Sequence, residues 1–210
     1  MKKTPEKILD AALELFNRHG LNVVTLRQIA GHLQISQGNL NYHFAKKEDI
    51  ITALYEQFAR EMEQRVQARL QNDELDLEQL NAFLLFFIQL FLQYRFVFLD
   101  FARLMQEHPD IKAHYVQLVQ QRIDQFSALL HVLAEKGILK PEAFPGQFRK
   151  LYKRIQVLTD CWISYHVIEG SEDDAAIQHS FLRMVQETLF PYLSTSYQQQ
   201  WLSYQETDWN

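Results

Sequence analysis

The stretch TLRQIAGHLQISQGNLNYHFAKK, Thr25 to Lys47, decides the fold. Thr25 stands three residues before Gln28, the spacing of a capping box in which each side chain bonds the other residue's backbone N–H. Leu26, Ile29, Ala30 and Leu33 then place apolar groups on one helix face. Gln34-Ile35 reads as a tight turn, and Ser36 as the cap of a second short helix. Ile35 and Leu40 are expected in the core beneath it, leaving Gln37, Asn39, Asn41 and His43 outside, with Tyr42 near the edge. Helix, tight turn and helix in this order make a helix-turn-helix.

The outward face of the second helix lacks the Glu/Lys pairs that usually cover a solvated helix. It offers amides instead, together with an imidazole and a phenol. An amide can both accept from and donate to an adenine edge in the major groove. An ordinary polar surface is the competing reading of these residues taken alone.

Upstream, Thr4-Pro5-Glu6 is a helix start, with a capping hydroxyl, a proline at the first position and an acid near the positive end of the dipole. Ile8, Ala11, Ala12, Leu15 and Phe16 form one stripe, and Gly20 supplies a left-handed stop, so this helix should run to about His19. Glu6, Asp10 and Glu14 interrupt the apolar run, so no secretory signal peptide is expected there.

Charge is divided unevenly. Residues 1–47 hold seven Lys/Arg against three acids, and the remaining residues hold fourteen against twenty-three, within a net charge of −5. A basic head on an acidic body suits a small DNA-contacting unit joined to a part that stays off the DNA. Few glycines and prolines and long periodic segments predict an all-α protein of about nine helices.

The segment from Ile8 to Ile51 resembles the DNA-binding head of the TetR family of bacterial transcription regulators. The likeness runs through ILDAALELFNRHG, VTLRQIAGHLQIS and QGNLNYHFAKKEDI, with Gly38, Leu40, Phe44, Lys47 and Glu48 on the family's most recognisable positions. It implies phosphate contacts from Thr25, Tyr42 and Lys47, and base or groove contacts from Arg27, Gln37, Gly38, Asn39, Asn41 and His43. The chain departs from the family at Asn39-Leu40-Asn41 and at Asn41-Tyr42-His43, where its own base preference is expected to lie. It departs again at Lys46, which replaces a short capping residue and brings another cation towards phosphate.

A lever helix should follow from Glu48 to about Gln71, with a break at Asn72-Asp73-Glu74. The run FLLFFIQLFLQYRFVFLDFARLM, residues 83–105, is long enough to raise a membrane-spanning reading. Gln89, Gln93, Arg95 and Asp100 interrupt it, so a pair of buried helices broken near Gln93-Tyr94 is expected instead, and no membrane partner. Phe83, Phe87, Phe91, Phe98 and Phe101, with Tyr115, Trp162 and His166 further on, are candidates to line a site for a small apolar or amphipathic effector; simple core packing competes at each position.

Beyond these, helices are expected at about 110–136, stopped by Gly137, at 147–169, and at 173–193 after a cap in Ser171-Glu172-Asp173-Asp174. The last two carry apolar residues on more than one side, and the resemblance implies that they form a homodimer interface. The basic run Arg149 to Arg154 tempts a second DNA site, but a solvated face or salt-bridge rim is preferred. Cys161, the one cysteine, is expected as a small buried hydrophobe in a reducing compartment.

Expected domains are therefore a head at 1–47, a ligand-binding and dimerisation body at 48–193, and a tail at 194–210 that either docks or stays disordered. The functional expectation is a cytoplasmic, ligand-responsive repressor that binds a pseudo-palindromic double-stranded operator as a homodimer. A helical ligand-binding or adaptor protein whose head no longer binds DNA is the alternative. No catalytic arrangement, cofactor loop or metal-ligand spacing is present in the sequence, so neither an enzyme nor a cofactor or metal site is expected.

Overall fold

The computed structural model describes residues 4–70, 77–170 and 173–207. The expected break at 72–74 and the cap residues Ser171 and Glu172 lie outside them. Eleven α-helices and no strand occur among the described residues. Contacts divide the chain into two units, Met1–Ile111 with Ile163–Gly170, and Lys112–Trp162 with Ser171–Asn210.

In the first unit, α1 (Thr4–His19) buries Ile8, Leu9, Ala11, Ala12 and Phe16. It stops where expected, at Gly20, whose φ is +81°. Next come α2 (Leu26–His32), α3 (Gln37–His43) and α4 (Lys47–Leu70). Val24, Ile29, Ala30, Leu40, Ile50, Ile51 and Leu54 join the α1 residues in the head core. Gln34 turns the chain between α2 and α3 with a φ of 56°, a left-handed conformation that a non-glycine residue adopts at a cost.

The aromatic run departs from the expected pair of helices. It forms three pieces, α5 (Leu77–Gln93), α6 (Phe96–Leu99) and α7 (Phe101–Glu107). The second break falls at Asp100, whose φ of −135° and ψ of 44° leave the helical region. Among the described residues, no helix is long and apolar enough to cross a membrane.

In the second unit, α8 (Pro109–Glu135, belonging here from Lys112) stops before Gly137, at φ +74°. After a loop, α9 (Gln147–Ile168) and α10 (Asp174–Leu189) follow, the former contributing residues to Trp162 here and the rest to the first unit. The cap of α10 is Asp173, which accepts from the Ala175 N–H at 3.1 Å. A 3-10 turn (Phe190–Tyr192) ends α10 one residue before Pro191. The tail forms a further helix, α11 (Thr195–Thr207), docked through Trp201 on Phe190 with ring centres 4.9 Å apart. An isolated β-bridge between Leu139 and Leu193 ties the ends of α8 and α10 together.

Two expectations about single stretches are settled here. Cys161 is exposed, not buried. It shares an outer face of α9 with exposed Val157, Leu158, Tyr165 and Ile168, and an apolar stripe wider than one core needs leaves some members outside. The run Arg149 to Arg154 is a rim, as preferred: Arg149 pairs with Asp124, the Lys150 ammonium lies over the Phe144 ring, and Arg154 donates to the Tyr192 hydroxyl, while Leu151 and Tyr152 are buried.

Candidate nucleic-acid interface

The caps read from the sequence fix α2 and α3 in place. The Thr25 hydroxyl accepts from the Gln28 N–H at 3.3 Å, and the Gln28 side chain accepts from the Thr25 N–H at 2.8 Å. Ser36 accepts from the Asn39 N–H at 3.1 Å. A lost cap of this kind costs about 1 kcal/mol, a large share for a seven-residue helix that cannot hold itself together.

With both caps made, α3 inserts Leu40 into the core, at 0% exposure, and turns Gln37, Gly38, Asn39 and Asn41 outward. Tyr42 is 86% exposed, an unusual state for a phenol that nothing covers. His43 is half-buried, its ring edge-on to Tyr42 at 5.1 Å. Thr25 and Arg27 are exposed on α2 and its cap. These sequence-selected residues thus stand on one short stretch of surface chain, anchored from within by Ile29 and Ala30 under α2 and by Leu40 under α3.

Lys47 differs from a free surface cation. It is half-buried, and its ammonium donates to the Leu21 carbonyl at 2.8 Å, so it staples the start of α4 to the α1–α2 connection. An ammonium has three donors, and two remain for a phosphate. The Thr25 hydroxyl likewise sits close to the Gln28 side-chain oxygen, at 2.9 Å. Lys46, where the family has a short cap, has its N–H accepted by the Asp49 carboxylate at 2.9 Å, so α4 is capped from inside its own first turn.

Gly38 has no packing reason to be glycine. Its φ is not positive, and a Cβ there would meet nothing closer than the Ser36 hydroxyl at 3.9 Å. Glycine in a helix costs about 1 kcal/mol relative to alanine. Its smallness is useful only to something that approaches from outside.

The effector candidates fall into two groups. In the first unit Phe83, Phe87, Phe91 and Phe98 are in serial ring contact, at 4.5, 6.0 and 4.8 Å. Phe58 of α4 joins Phe91 and Phe98 at 6.1 and 5.7 Å. Phe83, Phe91 and Phe98 are buried, Phe87 and Phe101 half-buried, and His166 buried near Glu169.

In the second unit Trp162 packs edge-on to Phe181, and Tyr115 donates to Asp160 at 2.5 Å. Gln156 donates to the other Asp160 oxygen at 2.8 Å and accepts from Tyr152 at 2.8 Å. Burial pushes the Asp160 carboxyl up to about 6, against the opposing pull of these two hydrogen bonds. Tyr152, Gln156 and Asp160 recur every four residues along α9, a polar ladder that the sequence reading missed because Tyr115 completes it from α8.

A three-helix head whose capped second short helix presents amides and a phenol to solvent is a helix-turn-helix DNA-binding unit. Comparison with known families narrows the class. A model described as bacterial regulatory proteins of the tetR family matches residues 8–54, and one described as a bacterial transcriptional repressor, TetR, matches residues 57–201. The chain belongs to the TetR family and is a transcriptional regulator.

Solved structures of similar fold agree. A TetR-family transcriptional regulator from Marinobacter aquaeolei VT8 superposes with a TM-score of 0.88 and 25% identity, over 98% of each chain. The ketosteroid transcriptional regulator KstR2 of Mycobacterium tuberculosis gives 0.67 and 20% identity, over 88% of this chain and 94% of its own. SmeT, the repressor of the Stenotrophomonas maltophilia multidrug efflux pump SmeDEF, gives 0.66 and 19% identity, over 93% of both.

Proposed function

We propose that the chain is a cytoplasmic, ligand-responsive repressor that binds a pseudo-palindromic operator as a homodimer. The observation that carries the reading is the exposed face of α3. Gln37, Asn39, Asn41 and Tyr42 stand in solvent on a helix whose caps and single buried leucine hold it rigid. Asn39 and Asn41 are assigned to base edges, together with Gln37, Arg27 and His43. Thr25, Tyr42 and Lys47 hold phosphates, and Gly38 lets the DNA backbone approach.

One amide–adenine pair is worth about 1–3 kcal/mol of discrimination, too little for a single head to select one address in a genome. Two heads are required, and the exposed apolar positions Val157, Leu158, Cys161, Tyr165 and Ile168 along α9 supply a seam for a second copy, with α10 beside it as the family likeness suggests. The effector is a small apolar or amphipathic molecule held against the ring series Phe83, Phe87, Phe91 and Phe98, with Phe101 and His166 in supporting places. Tyr115 and Trp162, engaged with Asp160 and Phe181, are then packing residues. An effector that favours one head arrangement shifts DNA affinity by its preference for that arrangement.

The test is selection of duplexes from a random pool, followed by anisotropy titration at several salt concentrations. Enrichment of a two-fold symmetric motif is expected. Asn39→Ala should relax preference at one position per half-site, and Lys47→Ala should weaken all sequences alike and lower the salt slope by about 1. Failure to enrich any motif would favour the alternative, a helical ligand-binding or adaptor protein.

A further inference from the structure

Helix α6 is a single turn, Phe96–Leu99, too short to sustain itself. No side chain of its own caps it. Two of its end groups, the Phe96 N–H and the Phe98 carbonyl, are nevertheless satisfied, by side chains from two other helices of the first unit.

At its start, the Asn17 side chain of α1 accepts from the Phe96 N–H at 3.0 Å and donates to the Gln93 carbonyl at 2.7 Å. In an unbroken helix the Phe96 N–H would bond the Leu92 carbonyl, and the Gln93 carbonyl would receive the Val97 N–H. The chain breaks there, and the Val97 N–H bonds the Tyr94 carbonyl instead, at 3.0 Å. A carboxamide has one donor face and one acceptor face, as a peptide unit has, so Asn17 fills both vacancies of the break at once. The Phe16 ring meets the Phe96 ring beside it at 5.8 Å. The break is tied to the lever as well, since the buried Tyr94 hydroxyl donates to Glu61 of α4 at 2.8 Å.

At its other end, the Ser164 hydroxyl of α9 donates to the Phe98 carbonyl at 2.6 Å. Asp100 leaves the helical region, so this carbonyl has lost the partner that a continuing helix would provide.

We propose that Asn17 and Ser164 are positioning residues for DNA binding. Together they cap α6 from opposite ends and so hold α1 of the head in register with residues 163–168, the end of α9 that belongs to the same unit. The proposal deepens the function proposed above: a head held in one orientation loses less freedom when two heads engage one duplex. Asn17 and Ser164 lie outside the residues assigned to DNA, so their effect separates from direct contact. Any ligand or partner that loosens α6 would release the head.

Two measurements on the full-length chain test this. In hydrogen exchange without DNA, Ser164→Ala should speed exchange at residues 96–99 and also at the end of α1, which meets α6 at its other end. Exchange altered only near Ser164 and Phe98, with α1 as in the wild type, overturns the proposal. In anisotropy with the selected duplex, Asn17→Ala and Ser164→Ala should each weaken binding by about tenfold, the scale of one lost hydrogen bond, with the salt slope unchanged. Asn17→Asp, which keeps the acceptor and loses the donor, should fall between Asn17→Ala and the wild type. Affinity unchanged or tightened in both alanine variants overturns the proposal. A wild-type chain that selects no duplex removes the DNA reading while the exchange measurement still decides the clamp.

Discussion

Gly38 and Asp160 are each unexplained by packing alone, for opposite reasons. Open space surrounds Gly38, so Gly38→Ala is expected to raise stability by up to about 1 kcal/mol. The added methyl stands between α3 and any close phosphate, so duplex affinity should fall by about tenfold, ~1.4 kcal/mol. Thermal melts and anisotropy on one preparation check both halves; a stabilised variant that binds as before rules out a close phosphate at Gly38. Burial raises the Asp160 carboxyl to about 6 in the folded chain, against about 4 unfolded. Between those values the unfolded chain releases its proton first, so stability falls as pH rises from about 4 to about 6 and is level above. Asp160→Asn cannot ionise. Its melting temperature relative to the wild type should therefore be more favourable at pH 7.5 than at pH 5, and an equal difference at both would show that the carboxyl is not perturbed.

At the scale of elements, what was legible followed from local physics. The capping box Thr25/Gln28, the Ser36 cap and the stops at Gly20 and Gly137 each act within a few residues, and each appears where the sequence placed it. The head was therefore readable almost to the residue. What stayed illegible needed a partner distant in sequence. The split of the aromatic run at Asp100 is stabilised by Ser164, 66 residues beyond Phe98; the break near Gln93 falls where the sequence placed it, but the Asn17 side chain that caps it, 76 residues before, was not legible. A pattern of apolar residues carries no trace of such caps. The polar ladder on α9 was hidden likewise, because Tyr115 reaches Asp160 across 45 residues. That α9 carries apolar residues on more than one side was legible; which of them face outward, Val157, Leu158 and Ile168 among them, was not, because apolar side chains look alike in a sequence whether they meet a core or solvent. The tail helix had too weak a stripe to be separated from irregular chain; it docks through Trp201 on the Phe190 ring and Gln198 donating to the Phe190 carbonyl.

For the whole molecule, the central expectation is self-association along α9. Ile168 is 83% exposed and Val157 65% exposed, so glutamate at either position should be tolerated by the fold of one chain. Ile168→Glu and Val157→Glu should sediment as monomers with unchanged melting in dilute solution, and should bind single half-sites and full operators with similar weak affinity. Cys161 lies in the same stripe and offers a label-free control: its alkylation rate should fall as protein concentration rises, and a rate independent of concentration would falsify the α9 seam.

Helix α3 has one more implication, for how such a regulator changes its target over time. Leu40 is its only buried residue, and its caps come from Ser36 before it and from its own backbone. Positions 37, 39, 41 and 43 can therefore be rewritten with little penalty to folding, while the machinery that aims the helix lies elsewhere. On the contacts proposed above, drift at four codons after gene duplication would send a copy to a new promoter, and a laboratory library confined to those codons would search the same space.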